Sequence, residues 1–463
     1  MNSATEVKKK AKIQNIYPLT PMQEGMLYHS LLDQESTPYL EQAVLTLKGE
    51  VSIDLFERAF NILVERHDVL RTIFRTEKVE RPVQIVLSER EAKVKFFDFS
   101  ELANNEELIQ EAIIQDKQTP FNLATEIPMR VSIYKSSENG FVVIWTHHHI
   151  IMDGWCFGII VNEFTEIYQA LRENIAYKLQ PIIPYSNYIE WIQKKNKAES
   201  AKYWSDFLYG YENTVEFNAK SLNNKALYTT QKTELKISAE SLNLLNKLTT
   251  NLGITQNSFL QTCWGLVLQK CLNLDDVVFG SVVSGRPAEL HGVEKIIGLF
   301  INTIPVRANR EGVSSFSQLA RRIQEASLNS VQHDYFPLAE IQANTPQKGN
   351  LINHILVFEN FPVNPSEGEN KVGYRVENFQ LNEQTNYDLG LIVIPKADEL
   401  HIEFNFNASR FEKEYIESLK DYLNRIITQV IADPEIALSK ISIVSKEEIQ
   451  KVIDENKVES TLP

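Results

Sequence analysis

The spacing of apolar residues along the chain alternates between helical and strand-like periods, which predicts a protein built from both kinds of element. The segment 51–66 places its apolar residues on one side, at the spacing of an amphipathic helix. The segment 141–146 is instead a continuous apolar run behind Gly140, which is typical of a buried strand. A helical period returns at 157–172, so a strand-to-helix connection is predicted between these two segments.

Helices and strands are predicted in both halves of the chain. Thr20 followed by Pro21 has the pattern of a helix N-cap and first turn. Further helices are predicted at 256–271 and 316–333, and further strands at 69–74, 277–280, 355–358, 389–394 and 401–406. The interleaved elements indicate the α/β (α+β) class in two lobes.

Changes in composition give the predicted domain boundaries. Residues 1–16 form a polar, Lys-rich leader, and a Pro-rich and then Lys-rich stretch marks an inter-lobe linker at 181–200. The N-terminal lobe is therefore expected at 17–180 and the C-terminal lobe at 201–445. The polar tail 446–463 is typical of a linker toward another domain, so the chain is expected to belong to a longer polypeptide.

Composition argues against several classes of function. The formal net charge of -14 disfavours a broad surface for nucleic acid, because such surfaces carry a basic excess. No apolar run of about 18 residues is present to cross a membrane, and the charged N-terminus lacks the apolar core of a signal peptide. The cysteines include no C-x-x-C pair and indicate free thiols in a reducing compartment, so the protein is expected in the cytoplasm.

Three consecutive histidines, His147, His148 and His149, follow the predicted strand at 141–146. Successive side chains of a strand point to opposite faces, so His147 and His149 share a face that His148 does not. A metal site formed by all three is thereby disfavoured, and a site with two of them lacks a third ligand at a familiar spacing. Acid–base chemistry is favoured instead, because a neutral imidazole accepts a proton near neutral pH.

The residues after the histidines extend the candidate site. Asp153 either pairs with His149 or holds the loop through a distant arginine. Gly154 allows a substrate to approach the main chain closely, where an N–H can serve an oxyanion. Cys156 follows on an apolar helix, which favours a buried thiol over a nucleophile. Neither G-x-S-x-G nor G-x-x-x-x-G-K-[ST] occurs, so a serine-hydrolase elbow and a P-loop are not supported.

Several segments resemble the core motifs of condensation domains from nonribosomal peptide synthetases. His148-His149-x-x-x-Asp153-Gly154 resembles their signature, which by itself is shared across a wide acyltransferase superfamily. The other matching segments follow the family's order: 19–29 (first motif), 66–74 (second), 185–191 (fourth), 297–307 (fifth) and 332–338 (sixth, with Phe336 inserted), with Ser284-Gly285-Arg286-Pro287 resembling the crossover loop near 281–307. The resemblance covers nearly the whole chain.

The resemblance implies two chloramphenicol-acetyltransferase-like lobes in a V-shaped pseudo-dimer with a central tunnel. It implies that an upstream donor carrier domain presents an aminoacyl or peptidyl thioester on 4′-phosphopantetheine. The amine of an aminoacyl thioester on a downstream acceptor carrier domain would attack that thioester, with the main-chain N–H of Gly154 facing the developing oxyanion. The resemblance implies neither a metal nor a permanently bound cofactor.

Roles for the other site residues also follow from the resemblance. His149 is the catalytic candidate, either as a general base or as the group that orients the amine. His148 and Asp153 are expected to be structural, and Asp153 is expected to pair with an arginine of the second motif, Arg66 in preference to Arg71. Further residues are expected to line or support the tunnel: His147, Trp155, Ser284, Arg286 and Asn302.

Differences from related subfamilies narrow the expected class. Trp155 directly follows Gly154, as in condensation rather than epimerisation domains. His148 is not replaced by aspartate, as in heterocyclisation domains, and His149 is not lost, as in inactive recruitment domains. The segment 21–26, Pro-Met-Gln-Glu-Gly-Met, resembles condensation domains whose donor ends in a D-configured residue.

The two ends of the chain carry the remaining expectations on partners. Residues 7–17 resemble a communication segment that docks an upstream synthetase, although the charge pattern favours an ordinary solvated leader equally. An adjacent adenylation domain is expected beyond 446–463. Two rival functions are a stand-alone acyltransferase using coenzyme A thioesters, against which the linker-like tail argues, and a non-catalytic docking platform for tailoring enzymes.

Overall fold

The computed structural model describes residues 12–32, 39–220, 228–359, 372–383, 385–445, 450 and 454. These residues divide into two compact units. The first unit holds the described residues of 1–195, 284–301 and 361–386, and the second holds those of 196–283, 302–360 and 387–463. Both units combine sheets with helices, which confirms the α/β (α+β) class.

The described part of the first unit contains two sheets with their helices. Its strands are β1 (Ile13–Pro18), β2 (Leu40–Gly49), β3 (Thr72–Arg75), β4 (Val83–Leu87), β5 (Val94–Asp98), β6 (Met129–Ser137), β7 (Gly140–His148) and β12 (Tyr374–Asn382). Its helices are α1 (Pro21–Leu32), α2 (Ile53–Arg66), α3 (Asn105–Lys117), α4 (Gly154–Glu173) and α5 (Ser186–Gln193). The sheets have the strand orders β1-β4-β3 and β12-β2-β7-β6-β5.

The predicted buried strand is β7, at the centre of the five-stranded sheet, where α2 and α4 pack against it. Trp145 of β7 contacts Phe60 of α2 and Phe164 of α4, with ring centroids 5.3 and 5.9 Å apart. The amphipathic helix α2 is confirmed, and it begins after Ser52, whose hydroxyl accepts a main-chain hydrogen bond in the first turn. Helix α4 begins earlier than predicted, so the connection that carries the histidines is short.

The segment 69–74 is only partly a strand, contrary to the prediction. Asp68–Arg71 forms a 3₁₀ turn, and β3 begins after it. The Arg71 guanidinium stabilises this turn by donating to the carbonyl oxygens of Val64 and Glu65, at 2.9 and 3.0 Å. The apolar pattern of the segment carries no signal of such local bonding between a side chain and the main chain.

The predicted leader and linker contribute elements to the first unit. β1 begins within the predicted leader and pairs with β4. α5 lies inside the predicted linker 181–200 and buries Tyr188 and Ile189, and the boundary between the units falls after Lys195. Residues 1–11 and nearly all of 446–463 lie outside the described residues, so the communication segment and the C-terminal linker stay predictions.

Two segments of the predicted C-terminal lobe, 201–445, belong to the first unit instead. β12 pairs with β2 in antiparallel register, from Tyr374 opposite Gly49 to Asn382 opposite Gln42. The crossover segment 284–301 also belongs to this unit. Pairing between distant segments leaves no mark on local composition, so boundaries drawn from composition differ from the structure here.

The second unit, in its described part, is built on a six-stranded sheet. Its strands are β8 (Thr230–Ile237), β9 (Asp276–Val283), β10 (Asn302–Asn309), β11 (Ile355–Phe358), β13 (Leu389–Pro395) and β14 (Leu400–Asn407), in the order β10-β9-β11-β13-β14-β8. Its helices are α6 (Lys197–Phe207), α7 (Ala239–Leu252), α8 (Gln256–Leu272), α9 (Phe316–Ser330), α10 (Leu338–Ala343) and α11 (Lys413–Ala432). α8 is buried over most of its length, including the polar side chains of Gln261, Thr262 and Gln269. None of the helices in the described ranges is both long and apolar enough to span a membrane.

Candidate active site

The histidines lie where β7 turns into α4. β7 ends at His148, and His149–Ile151 forms a 3₁₀ turn. Asp153 is the N-cap residue of α4, so the whole connection between strand and helix is short and its side chains start from fixed main-chain positions. The turn is also held by Gln23 of α1, which donates a 3.0 Å hydrogen bond to the Ile150 carbonyl oxygen.

The first motif therefore supports the histidine loop directly. Thr20 caps α1 as predicted, because its hydroxyl accepts a hydrogen bond from the Gln23 N–H at 3.2 Å. In return the Gln23 side chain accepts one from the Thr20 N–H at 3.0 Å, which completes a capping box. The buried Gln23 amide is thus fixed at one end by α1 and reaches the catalytic turn with the other.

His147 and His149 share one face of the strand end, and a single carboxylate lies between them. Nε2 of His147 lies 2.8 Å from Oε2 of Glu41, and Nε2 of His149 lies 2.9 Å from Oε1. Glu41 belongs to β2, and its main chain is paired directly opposite His147. Nδ1 of His149 lies 2.8 Å from the Met152 carbonyl oxygen, so both ring nitrogens of His149 face oxygen atoms.

The electrostatics of Glu41 and His149 favour the charged form of both side chains. Burial by itself would raise the pKa of Glu41, but His149 and His147 hold it well below its usual range. Burial would likewise lower the pKa of His149, but the charge and hydrogen bond of Glu41, with weaker contributions from Glu383 and Asp153, raise it to about 9. Both shifts favour an imidazolium at His149 facing a carboxylate at Glu41.

Glu41 lies between two imidazole rings, and neither ring nitrogen of the buried His147 has a hydrogen-bond partner of good geometry among the described residues. Each carboxylate oxygen of Glu41 lies within 2.9 Å of a nitrogen of a different imidazole ring. Among the described residues, no three His, Cys, Asp or Glu side chains are grouped so as to hold a metal ion.

His148 points to the opposite face of β7 and is bonded on both ring nitrogens. Its Nδ1 accepts a 3.1 Å hydrogen bond from the Ile150 N–H, and its Nε2 lies 3.0 Å from the Ser30 hydroxyl. The Ser30 hydroxyl donates to the Met26 carbonyl oxygen, so the Nε2–H of a neutral His148 donates to Ser30. Burial, together with the charges of the neighbouring histidines, lowers the pKa of His148 to about 3. The neutral His148 ring, with both nitrogens hydrogen-bonded, connects the turn after β7 to Ser30 of α1.

Asp153 pairs with Arg286, which corrects the expected partner. Its Oδ1 lies 3.0 Å from Nη2 of Arg286, with both side chains buried, and its Oδ2 accepts a 3.0 Å hydrogen bond from the Phe300 N–H. Arg286 also donates to the carbonyl oxygens of Val293 and Ile296, at 2.7 and 2.9 Å. The carboxylate thus fastens both ends of the crossover segment 284–301 to the start of α4.

The arginines of the second motif are engaged elsewhere. Nε of Arg66 lies 2.9 Å from Glu163 of α4, which is about 15 Å along the helix from Asp153 at 1.5 Å per residue. Arg71 is buried and pairs with Asp68 at 2.8 Å. The spacing of these two arginines in the sequence does not specify which acidic residue each of them reaches.

Trp155 and Cys156 extend the attachment of the crossover segment. Trp155 donates a 3.0 Å hydrogen bond to the Glu294 carbonyl oxygen, and the Arg286 guanidinium lies over its ring. The Cys156 sulfur lies within 3.2–3.3 Å of the Gly298 main chain. Burial and the nearby Asp153 raise the pKa of this thiol strongly, so Cys156 is the buried thiol that its position on the helix predicted.

The remaining predicted site residues lie in three different environments. Gly154 is the first residue of α4, and the Asp153 side chain does not cap that helix, so its first amides keep their polarity toward the loop. Ser284 is exposed at the start of the crossover segment. Asn302 lies in the second unit, where its amide donates to the carbonyl oxygens of Asp334 and Phe336, at 2.6 and 2.8 Å.

Sequence reasoning missed Glu41, Gln23 and the pairing role of Arg286. A signal for Glu41 exists: an acidic residue stands next to Gln42 in the segment Leu40 to Leu45, whose other residues are apolar, and a charge buried in a sheet requires a partner. The identity of that partner depends on strand register, which the local pattern does not give.

Comparison with known proteins agrees with this architecture. The sequence model of the condensation-domain family matches residues 13–453. Gramicidin S synthase 2 of Brevibacillus brevis is 37% identical over 454 residues, covering 96% of this chain and 10% of the relative. Surfactin synthase subunit 3 of Bacillus subtilis (strain 168) is 38% identical over 443 residues, covering 95% of this chain and 35% of the relative. The chain belongs to the condensation-domain family.

Solved structures share the fold at low sequence identity. The X-domain from teicoplanin biosynthesis has a TM-score of 0.80 at 20% identity, covering 94% of this chain and 99% of its own. The first condensation domain of the calcium-dependent antibiotic synthetase, in complex with a substrate analogue, has a TM-score of 0.75 at 16% identity, covering 94% and 100%. The chain spans about a tenth to a third of the length of the two synthases above, so what those whole proteins make and bind enters only as a proposal here.

Proposed function

We propose that this chain forms an amide bond between two carrier-bound substrates. The acceptor amine attacks the donor thioester carbonyl, a carbon–nitrogen bond forms, and the carbon–sulfur bond breaks. The donor 4′-phosphopantetheine leaves as a thiol, taking up the proton that the amine loses, and the lengthened peptide stays on the acceptor arm. The observation that carries this proposal is His149, held at the end of β7 by Met152 and Glu41 in a chain of the condensation-domain family.

The geometry supports positioning as a main source of rate enhancement. Amines react readily with thioesters, and well-oriented reactants gain large effective concentrations. The His149 side chain keeps 17% of its surface exposed while both of its ring nitrogens face fixed oxygens. The uncapped first turn of α4, beginning at Gly154, offers N–H groups to an oxyanion that develops nearby.

A condensation assay with loaded donor and acceptor carriers tests this function. His149→Ala should lower the rate of dipeptide formation by about 10² or more, the usual contribution of a group that moves or holds a proton. His291→Ala, at an exposed histidine of the same unit, is the matched control and should keep the parent rate. Equal rates for His149→Ala and the parent would refute the catalytic assignment.

The same assay separates the rival functions. If free coenzyme A thioesters replace the loaded carriers without loss of rate, the chain is an acyltransferase of soluble thioesters. If the parent forms no product with any loaded carrier pair, the chain is not a condensation catalyst, and a docking platform for other enzymes becomes the better explanation.

The configuration of the donor is a finer part of the proposal. The segment 21–26 contains Gln23, whose side chain contacts the catalytic turn, so this motif is built into the site. We infer a donor whose C-terminal residue is D-configured. Donor carriers should be loaded with two dipeptides that differ only in the configuration of the C-terminal residue. The D-configured donor should react about tenfold faster or more, which is the effect expected from the gain or loss of one close contact in a binding pocket. Equal rates, or a preference for the L-form, would contradict this part.

The partners of the chain follow from the same proposal. An upstream donor carrier, a downstream acceptor carrier and an adjacent adenylation domain are proposed, with residues 1–16 docking an upstream synthetase. Deleting residues 1–11 should slow condensation with a donor carrier on a separate chain and leave the rate with a fused donor carrier unchanged. If the deletion leaves the rate with the separate donor carrier unchanged as well, the segment has no docking role.

A further inference from the structure

Glu41 is buried between His147 of β7 and His149, the first residue of the 3₁₀ turn that follows β7. The carboxylate side chain is 5% exposed, and the His147 side chain is 1% exposed. The pairing of β2 with β7 places Glu41 opposite His147, and the next side chain on the same face is that of His149. The sheet register thus fixes Glu41 opposite His147, and the hydrogen bond from the His149 N–H to the Tyr39 carbonyl oxygen, at 2.8 Å, holds His149 directly beyond the paired strands.

The hydrogen-bond geometry fixes how many protons the His149 ring carries. A main-chain carbonyl oxygen only accepts, so the 2.8 Å contact with Met152 requires a proton on Nδ1 of His149. An ionised carboxylate also only accepts, so the 2.9 Å contact with Glu41 requires a proton on Nε2. A ring that carries both protons is an imidazolium.

We propose that Glu41 is a positioning residue that holds His149 as an imidazolium, ion-paired through Nε2 and hydrogen-bonded through Nδ1, so that the resting site contains no free base at this position. This inference rests on the proposed condensation function and deepens it, since it assigns a state to the group that contacts the substrates. Nε2 of His147 lies 2.8 Å from the other oxygen of the same carboxylate.

The charges that face His149 from the surrounding elements act in the same direction. Asp153 at the start of α4 and Glu383 after β12 add negative potential, although Arg286 neutralises most of the former. His148 on the neighbouring position of β7 stays neutral because of its burial. Glu41 is the largest favourable contribution among these groups, so its removal should leave His149 with a pKa governed by burial.

The consequence for catalysis concerns the pH at which His149 can accept a proton. With Glu41 present, the raised pKa of His149 means that the ring loses its second proton only at a pH well above the ordinary pKa of histidine. Attack by the amine at neutral pH then relies on orientation and on the positive charge of the imidazolium. The proton that the amine loses passes to the departing thiolate, so the atoms balance without a neutral histidine.

Nitrogen-15 NMR of histidine-labelled protein tests the inference directly. In the parent at pH 7, both ring nitrogens of His149 should give protonated shifts, with the signal assigned by its loss in His149→Ala. In Glu41→Gln the titration should move down by about two pKa units or more, since burial alone lowers a histidine pKa below its ordinary value of about 6.5. Glu41→Asp, which keeps the charge, should restore a raised pKa at least in part.

A matched control is available in the same unit. Glu163 on α4 lies 2.6 Å from Nε2 of His67 and pairs with Arg66, so Glu163→Gln removes a comparable carboxylate away from the site. This variant should lose some stability and keep both the His149 titration and the pH–rate profile of the parent. In Glu41→Gln the kinetic pKa of the condensation rate should fall together with the pKa measured by NMR.

The outcomes separate this inference from the function on which it rests. A neutral His149 ring in the parent at pH 7 overturns the role of Glu41 without any variant, so a misfolded Glu41→Gln does not block the test. An unchanged titration in a folded Glu41→Gln overturns it as well. Failure of the parent to form product with loaded carriers refutes the condensation function, whatever the protonation of His149 proves to be.

Discussion

Replacing Asp153 with asparagine removes the charge that balances Arg286 and keeps the size of the side chain. In the parent, one carboxylate oxygen lies 3.0 Å from the guanidinium and the other accepts from the Phe300 N–H. The Arg286 side chain is 6% exposed, so water has little access to the unpaired charge. The variant therefore leaves a buried cation facing an amide.

The size of the effect follows from the remaining contacts. Removing one partner of a buried ion pair costs about 3–5 kcal/mol. Arg286 keeps its bonds to the carbonyl oxygens of Val293 and Ile296 and its place over the Phe300 ring at 4.1 Å, which favours the lower end. A cost of about 3 kcal/mol corresponds to a roughly 100-fold increase in the opening of the crossover segment 284–301, at about 1.4 kcal/mol per tenfold.

Hydrogen exchange followed by mass spectrometry measures this opening. Peptides from 284–301 should exchange about 100-fold faster in Asp153→Asn, while peptides from the second unit stay near the parent rate. A double-mutant cycle with Arg286→Met should give a coupling of about 2–3 kcal/mol, the range for residues in one buried pair. The same cycle with Arg66→Met should be additive within about 0.5 kcal/mol, because Arg66 pairs with Glu163.

Two results would refute the reasoning. Exchange in 284–301 that stays within threefold of the parent would show that the pair does not hold the segment. A strong coupling of Asp153 to Arg66, with additivity toward Arg286, would restore the partner expected from the second motif.

Buried histidines, a left-handed glycine and the thiols give three further measurable outcomes. Burial lowers the pKa of His148 and of His354 to about 3. As the pH drops from about 6.5 toward 3, these histidines take up protons in the unfolded chain before they do so in the folded one, so the free energy of unfolding should fall. Urea midpoints at pH 6.5 and 5 check this, and His354→Gln should reduce the dependence of the midpoint on pH. Gly285 has φ 58°, and an added Cβ would lie 1.9 Å from a carbonyl oxygen, so Gly285→Ala should cost about 3 kcal/mol or more in a melting experiment. Gly253→Ala, at φ 68° in open space, is its control and should cost about 1–2 kcal/mol; similar losses for both would contradict the steric argument. A thiol reagent should label Cys271, which is exposed, well before the two buried cysteines, as read by peptide mass; early labelling of a buried cysteine in folded protein would contradict the burial.

Local patterns predicted the elements well and the partners poorly. The apolar run of β7 and the amphipathic spacing of α2 each depend on a few neighbouring residues, and both elements are present. Strand alternation also placed His147 and His149 on one face, where they share Glu41. These successes all concern residues within a few positions of one another.

The failures concern residues that meet across long stretches of chain. Arg286 is 133 positions from Asp153, and nothing in the spacing favours it over an arginine of the second motif. Glu41 meets its histidines through the register of β2 on β7, which depends on the whole sheet. Family resemblance singled out the histidine loop and the crossover segment, but it did not supply the residue pairs that join them.

The crossing of β12 into the sheet of the first unit has a consequence for how such chains can be recombined. Without β12, strand β2 would become a bare edge, with its main-chain groups open to pairing with other molecules. A cut after Lys195 would remove both this strand and the segment that neutralises Asp153. We therefore expect the two units to be exchangeable between synthetases only as one piece, and a graft between related chains should be joined outside 13–453 to keep strand and partner together.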